Sequence, residues 1–211
     1  PISIMPNYTL NWRGLIKMDK LILNAFEYVK QHTENESTGH DYHHAVRVYK
    51  MALELAANKE VNGQVIALAA LLHDLDDYKV VSGPSFKAKT FLEKHVSPDV
   101  KEQVMTIIDN MSFSAYKEGK TVETLEGKIV QDADRLDALG AIGIARTFAY
   151  SGKKGRLLYD DSHEDDTAIA HFYQKLFKLA ELMNLEEARI IAKNRIEFMK
   201  KYLEEFFLEW K

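Results

Sequence analysis

The stretch that decides the fold is residues 64–74, which have the sequence QVIALAALLHD. Apart from its first residue and its last two, the stretch is apolar, so a helix formed by it is apolar on nearly every side and must be central. It ends in His73 and Asp74, and Asp76 and Asp77 follow closely. Because buried polar groups cost free energy unless they have partners, polar residues this dense at the end of a buried helix indicate a functional site.

Helical spacing of apolar residues continues along most of the chain, and no segment has the alternation expected of a strand. A first helix is predicted around residues 21–29, and a second begins where Thr38 and Asp41 resemble a capping box. We therefore predict an all-α fold, a single-domain helical bundle over residues 18–211 that follows an N-terminal extension, residues 1–17. The further predicted helices span about residues 64–75, 85–96 with Ser85 as cap, a segment that starts at Ser97 and Pro98, and then 122–150, 167–183 and 185–209.

The second predicted helix gives its two neighbouring histidines different environments. Periodicity places His44 in one stripe with Val48 and Met51, whereas His43 lies on the opposite face with Arg47. We therefore expect His44 to point into the domain and His43 to point out of it, so His44 is the candidate ligand of the pair.

Composition excludes several classes of site and partner. The chain has 211 residues, a formal net charge of -4 and no cysteine. The mildly acidic charge argues against nucleic-acid binding, and the lack of cysteine excludes disulfides, thiolate catalysis and thiolate metal sites. No apolar stretch approaches the ~20 residues that a membrane span needs, and the first residues lack a signal-peptide layout. We expect a cytoplasmic protein with no nucleic-acid or membrane partner.

Two imidazoles and two carboxylates from separate helices can close around one divalent metal ion. The first three candidates are His44, His73 and Asp74. Spacing leaves the last ligand open, because Asp134 and Asp137 share one helix face and Asp132 points elsewhere. Imidazole and carboxylate ligands suit Mn, Fe, Co, Ni or Zn, and also Mg where coordination positions stay open. We expect one divalent ion, with Mn as the first choice.

Three motifs together resemble the HD-domain metal-dependent phosphohydrolase superfamily, whose pattern is H…HD…D on an all-helical scaffold. The similar stretches are GHDYHHAVRV at residues 39–48, LLHD at 71–74 and DADRLDA at 132–138. The resemblance implies that the metal ligands are His44, His73, Asp74 and Asp134. Asp132 and Asp137 then become candidates for orienting the ligands or a nearby arginine, with ordinary solvated or salt-bridged side chains as the alternative.

Residues 76–79, together with His171, Lys175 and Leu176, resemble a small bacterial branch of that superfamily. This branch hydrolyses (deoxy)nucleoside triphosphates to monophosphate and pyrophosphate. The resemblance implies a small-molecule nucleotide substrate and attack by hydroxide at the α-phosphorus, since a metal lowers the pKa of bound water from ~15.7 towards neutrality. The alternatives are a nucleoside monophosphate phosphatase, a phosphodiesterase or a non-catalytic nucleotide-binding module.

Several charged side chains near these motifs are candidates for catalysis and phosphate binding. Asp77 lies one turn beyond Asp74 and can accept the proton of the attacking water, and Asp74 and Lys79 complete the predicted catalytic set. The predicted substrate-binding cations are Arg47, Lys79, Arg135 and, from the resemblance, Lys175. Arg47 and Arg135 are equally well interpreted as neutralising nearby carboxylates. The basic loop at residues 153–156 is predicted to be either a mobile lid over phosphates or a solvated loop.

Overall fold

The computed structural model describes residues 19–33, 39–76, 85–162 and 164–210. This part of the chain forms ten α-helices and two short 3₁₀ helices and contains no β-strand, which confirms the predicted all-α fold. The predicted N-terminal extension, residues 1–17, lies outside the described residues. The 3₁₀ helices are Glu164–Asp166 and Leu176–Leu182. The α-helices are α1 (Lys20–Thr33), α2 (Tyr42–Ala56), α3 (Gly63–Leu72), α4 (Lys87–His95), α5 (Pro98–Met111), α6 (Phe113–Lys117), α7 (Leu125–Asp137), α8 (Gly140–Lys153), α9 (Ala168–Gln174) and α10 (Glu186–Glu209).

Helix α3 lies at the centre of the bundle, as its apolar sequence predicted. Every residue from Val65 to Leu72 is buried, and the helix packs against α1, α2, α5 and α7. Full burial contributes about 1.5–3 kcal/mol for each side chain such as Leu68 or Leu71. Asn62 is the N-cap of the helix, and its side chain accepts hydrogen bonds from the backbone N–H groups of Gln64 and Val65. Neither α3 nor any other described helix combines the length and apolarity needed to cross a membrane.

The helix starts agree in part with the predicted caps. Ser97 caps α5, with Pro98 in its first turn, as predicted. The predicted cap at Ser85 is wrong, because α4 begins at Lys87 and its preceding residue makes no side-chain capping bond. Ser85 instead donates its hydroxyl hydrogen to Asp76 Oδ1 at 2.5 Å, and Asp76 accepts the Lys87 and Ala88 N–H groups at 2.8 and 3.0 Å. The Asp76 carboxylate, and not Ser85, therefore accepts the N–H groups at the start of α4.

The single long helix predicted over residues 122–150 is wrong. The chain forms α7 and α8 with a turn between them, and Gly140 has a φ of +74° in that turn. Residues with a Cβ disfavour this left-handed conformation, so the glycine permits the change of direction. The predicted helix over residues 167–183 is likewise divided, into α9 and the 3₁₀ helix Leu176–Leu182.

The start of α10 is held by Asp132, a residue of α7. The fully buried Asp132 carboxylate accepts hydrogen bonds from the Asn184 N–H at 2.9 Å, from the Asn184 side-chain amide at 2.8 Å and from the Leu185 N–H at 2.8 Å. These contacts fix the two residues that precede α10, where the N-cap residue Leu185 makes no side-chain capping bond. Asp132 therefore joins two helices and does not orient a metal ligand.

The turn at Gly140 yields a stability prediction. We expect Gly140→Ala to lower the free energy of unfolding by about 1–2 kcal/mol, because alanine disfavours positive φ. The added Cβ would also lie 3.2 Å from Arg195 Cγ. The matched control is Gly152→Ala in α8, where an added Cβ meets nothing within 4 Å. We expect that control to shift stability by less than about 1 kcal/mol, in the stabilising direction. Denaturant unfolding measures both, and an equal effect at the two positions would contradict the argument.

Candidate metal centre

Helix α2 presents His44 to the centre of the bundle. The His44 side chain is fully buried and His43 is exposed, as periodicity predicted. His44 Nδ1 lies 2.7 Å from Asp137 Oδ2. Burial alone would raise the pKa of Asp137, but hydrogen bonds from His44 and Arg47 hold that pKa well below its ordinary value. Because the Asp137 carboxylate can only accept, His44 Nδ1 donates the hydrogen bond, and in the neutral ring Nε2 presents a lone pair.

His73 has a similar arrangement at the end of α3. Its Nδ1 donates a hydrogen bond to the Ala70 carbonyl oxygen at 3.0 Å, so Nε2 presents a lone pair in the neutral ring. The Nε2 atoms of His44 and His73 lie 3.2 Å apart. Two lone pairs that face each other at this distance repel unless a proton or a cation lies between them.

Asp74 and Asp134 each bring a carboxylate to this pair of rings. Asp74 Oδ2 lies 3.1 Å from His44 Nε2, and Asp74 Oδ1 lies 3.4 Å from His73 Nε2. Asp134 Oδ1 lies 3.5 and 3.7 Å from the same two nitrogens. Neighbouring ligand atoms about 2.1 Å from a metal ion are about 3.0–3.4 Å apart. The donor set and its spacing therefore fit a divalent cation, with Asp134 slightly further out.

The carboxylates approach the rings from different sides. The described residues contain two sets of three side chains, and within each set the potential ligand atoms all lie within 4.8 Å of one another. One set is His40, His44 and Asp74, and the other is His44, His73 and Asp134. His44 belongs to both sets, so the two groups of side chains meet at its imidazole.

The charges of the cluster favour a bound cation. Burial opposes protonation of His73, but the carboxylates of Asp74 and Asp134 raise its pKa to about 9. Burial also opposes ionisation of Asp74, yet His73 and His40 hold the pKa of that carboxyl well below its ordinary value. The nearby His73 and His44 imidazoles lower the pKa of Asp134 against the effect of burial. Positive charge at this position is thus stabilised, and a divalent cation supplies it more effectively than one proton.

The cluster is closed on its histidine side and open on its carboxylate side. The side chains of His44 and Asp74 are 0% and 15% exposed, and those of His73 and Asp134 are 4% and 31% exposed. Structural metal sites are closed by protein ligands, whereas catalytic sites keep a coordination position open. A molecule from solvent can therefore reach the cluster beside Asp134.

Similarity to known proteins agrees with this geometry. The HD domain family model matches residues 41–139, a range that contains all four candidate ligands. The chain is 38% identical to the uncharacterized protein YpgQ of Bacillus subtilis (strain 168) over 181 residues, which cover 83% of this chain and 87% of YpgQ. The chain belongs to the HD-domain family.

Solved structures extend this assignment over nearly the whole chain. A Lactobacillus plantarum protein matches with a TM-score of 0.82 and 36% identity, covering 92% of this chain and 99% of the other. An HD-superfamily hydrolase of Bacillus thuringiensis matches with a TM-score of 0.71 and 44% identity, covering 90% and 96%. YpgQ in complex with ADP matches with a TM-score of 0.73 and 36% identity, covering 88% and 95%. The protein is an HD-superfamily hydrolase with residues that can hold a divalent metal.

Asp137 connects the HD-domain metal centre to two arginines. It accepts hydrogen bonds from Arg47 Nε at 2.6 Å, Arg47 Nη2 at 3.0 Å and Arg146 Nη1 at 2.8 Å, besides the one from His44. Asp137 therefore has the contacts that a ligand-orienting residue needs. Arg47 neutralises a carboxylate, which was one of its two interpretations, and its role in phosphate binding stays a prediction.

Two other predicted phosphate-binding cations lie over aromatic rings of α6. The Arg135 guanidinium donates to the Leu182 carbonyl oxygen, and its central carbon lies 6.0 Å from the centre of the Tyr116 ring. Lys175 Nζ lies 4.9 Å from the centre of the Phe113 ring. The contacts of Arg135 are those of a structural residue that joins α7 to the segment before α10. Binding of substrate by Arg135 or Lys175 stays a prediction.

The remaining predicted charged residues are divided between two regions. Asp77 and Lys79 lie outside the described residues, so their catalytic roles stay predictions. In the basic loop at residues 153–156, Arg156 Nε lies 2.8 Å from Asp166 Oδ1, and the side chains of this pair are 37% and 81% exposed. Such an exposed ion pair is worth little energetically and favours the interpretation as a solvated loop.

The fold brings to the site two residues that were not predicted from the sequence. His40 Nδ1 lies 2.7 Å from Asp74 Oδ2, and Arg146 reaches Asp137. His40 precedes α2, so helical periodicity assigns it no face, although its place in the motif GHDYHHAVRV was a usable signal. Arg146 reaches Asp137 because the chain turns between α7 and α8, which the single predicted helix concealed.

A cavity of about 540 Å³ lies between parts of α2, α7, α8 and α10. Arg47 and Asp137 form part of its wall, but the four candidate metal ligands are not among its described lining residues. The cavity is therefore separate from the metal centre, although it shares with that centre the residue pair that orients His44.

The contacts of Asp137 yield a prediction about metal affinity. We expect Asp137→Asn to weaken Mn²⁺ binding about 10–100-fold, because an amide has no charge and only one acceptor oxygen, whereas both Asp137 oxygens now accept hydrogen bonds. Isothermal titration of the metal-free protein measures this change. The matched control is Asp109→Asn, which makes the same change at an exposed position of α5. Equal affinities of the two variants would show that Asp137 does not orient His44.

Proposed function

We propose that the protein is a metal-dependent nucleotide pyrophosphohydrolase that converts (deoxy)nucleoside triphosphates to monophosphate and pyrophosphate. The observation that carries this proposal is the uneven exposure of the ligand cluster. Two buried imidazoles, of His44 and His73, lie on one side, and the partly exposed carboxylate of Asp134 borders the open side. Such a site can retain a divalent ion and still leave positions for a phosphate oxygen.

A nucleotide is the substrate class with the best support. One solved structure of Bacillus subtilis YpgQ, which is 36% identical to this chain, is a complex with ADP. ADP contains a phosphoanhydride, the type of bond that a pyrophosphohydrolase cleaves. A bound divalent ion supplies water of lowered pKa and neutralises charge on phosphoryl oxygens. We propose Mn²⁺ as this ion, and the cytoplasmic location stays a prediction.

The side chains of the protein then have three proposed tasks. His44, His73, Asp74 and Asp134 hold the ion. Asp77 accepts the proton of the attacking water, and Lys79 places a positive charge beside the phosphates. Arg47, Arg135 and Lys175 are proposed to bind the phosphate chain. Arg47 donates to Asp137 through Nε and Nη2, and its guanidinium has further N–H donors for a phosphate oxygen.

A nucleotide panel tests the proposal. Nucleoside and deoxynucleoside mono-, di- and triphosphates are incubated with the protein and Mn²⁺, Mg²⁺, Co²⁺ or Ni²⁺, and pyrophosphate and orthophosphate are measured separately. We expect pyrophosphate and a nucleoside monophosphate from triphosphates. Orthophosphate from monophosphates would identify a phosphatase instead, and cleavage of a phosphodiester substrate would identify a phosphodiesterase. Nucleotide binding without any product would identify a binding module.

Removal of one proposed ligand tests the role of the cluster in turnover. Mutation of a residue that only orients a metal ligand costs about 10–100-fold in metal affinity or activity. We expect His73→Ala and Asp74→Ala each to cause a larger loss of bound metal and of activity, because each removes a proposed ligand. Metal content and product release are measured on the same samples. The matched control, His95→Ala, removes an exposed imidazole from α4 and should leave both unchanged. An active His73→Ala variant would refute the proposed site.

A further inference from the structure

We propose that His40 is a positioning residue of the metal centre, which holds the Asp74 carboxylate in the orientation that binds the ion. This inference rests on the proposed metal site but not on the identity of the substrate. The HD domain match begins at Asp41, so His40 lies outside it.

The contact between His40 and Asp74 has a defined direction. His40 Nδ1 lies 2.7 Å from Asp74 Oδ2, and the two side chains are 16% and 15% exposed. The ionised Asp74 carboxylate has no hydrogen to give, so His40 Nδ1 must donate. A hydrogen bond to an ionised acceptor at this distance is of the stronger, charge-assisted kind. His40 therefore stabilises one orientation of the carboxylate.

Asp74 needs such a partner because of its place in the chain. It follows His73, the last residue associated with α3, and lies in the turn beyond the helix. The terminal torsion of an aspartate has a broad, roughly two-fold energy profile, so local structure does not orient the carboxylate plane. In the observed orientation Oδ2 faces His44 Nε2 at 3.1 Å and Oδ1 faces His73 Nε2 at 3.4 Å. The hydrogen bond from His40 is the contact that selects this orientation.

The geometry distinguishes His40 from a metal ligand. Two ligand atoms that each lie about 2.1 Å from an ion and subtend a right angle at it are about 3.0 Å apart, which is the shortest spacing expected. The 2.7 Å separation between His40 Nδ1 and Asp74 Oδ2 is instead a hydrogen-bond length. The Nδ1 atom also carries the shared proton, so it has no lone pair for an ion. His40 acts on the ion through Asp74.

The backbone before α2 holds His40 from both sides. Gly39 has a φ of +86°, and a Cβ at this position would lie 2.8 Å from Arg146 Cγ, so the chain passes directly over that side chain. Asp41 fixes the other side by accepting the His44 N–H at 2.8 Å. His40 is thus placed between two anchored neighbours, which reduces the conformational entropy lost in making its contact.

Metal binding by the whole 211-residue chain tests the proposal without any nucleotide. We expect His40→Ala to weaken Mn²⁺ affinity about 10–100-fold in isothermal titration. His40→Asn should recover most of the affinity, because Asn Nδ2 can donate from nearly the position of His Nδ1. His40→Gln should resemble His40→Ala, since its longer side chain places the amide elsewhere. The matched control is His43→Ala, which removes the nearby exposed imidazole in the first turn of α2.

The Co²⁺ absorption spectrum separates positioning from ligation. A positioning role predicts that His40→Ala, saturated with Co²⁺, keeps the band positions of the unaltered protein, because the ligand set is the same. Altered bands in all three His40 variants, with no recovery of affinity in His40→Asn, would make His40 a ligand and overturn the proposal. Unchanged Mn²⁺ affinity in all three would overturn it as well. If His40→Ala does not fold, the contrast between His40→Asn and His40→Gln decides. Because no nucleotide is present, failure of the pyrophosphate assay leaves these outcomes unaffected.

Discussion

The two imidazoles at the centre of this HD domain face each other with their Nε2 atoms 3.2 Å apart. This contact exists because both Nδ1 atoms donate elsewhere, His44 to Asp137 and His73 to Ala70. In their neutral forms the rings would then oppose two lone pairs, which is unfavourable in a buried site. Positive charge between the rings removes the conflict. The hydrogen bonds made by the two Nδ1 atoms therefore favour a cation at the Nε2 atoms, which is what the candidate metal centre would bind.

The packing of the surrounding helices holds the two imidazoles and the two carboxylates together. Helix α3 is too apolar to provide more than a buried support and the His73–Asp74 turn at its end. Helices α2 and α7 pack against it and against each other, so His44 and Asp134 arrive from two further directions. The turn between α7 and α8 then brings Arg146 to Asp137, which already accepts from Arg47. His44 is therefore held by Asp137, a residue from another helix, and the two arginines hold Asp137 in turn.

Three aspartates of α7 have different roles, which depend on where each side chain projects from the helix. Successive residues of a helix point about 100° apart, so Asp132 faces away from Asp134, whereas Asp134 and Asp137 share a face. Asp132 binds the backbone at the start of α10. Asp134 faces the imidazoles and solvent, and Asp137 lies behind His44. The same chemical group thus joins helices, borders the ion site or orients a ligand.

The sequence by itself determined the all-α class, the central position of α3 and the burial of His44 beside an exposed His43, because helical periodicity is a local property. Its motifs also indicated the HD-domain family and the four residues that converge. Only the tertiary structure decided that Asp132 binds the backbone at the start of α10, that Arg47 pairs with Asp137 and that His40 reaches Asp74. It also decided that the chain turns at Gly140. These contacts join segments far apart in sequence, and their geometry depends on how whole helices pack, which no local pattern encodes.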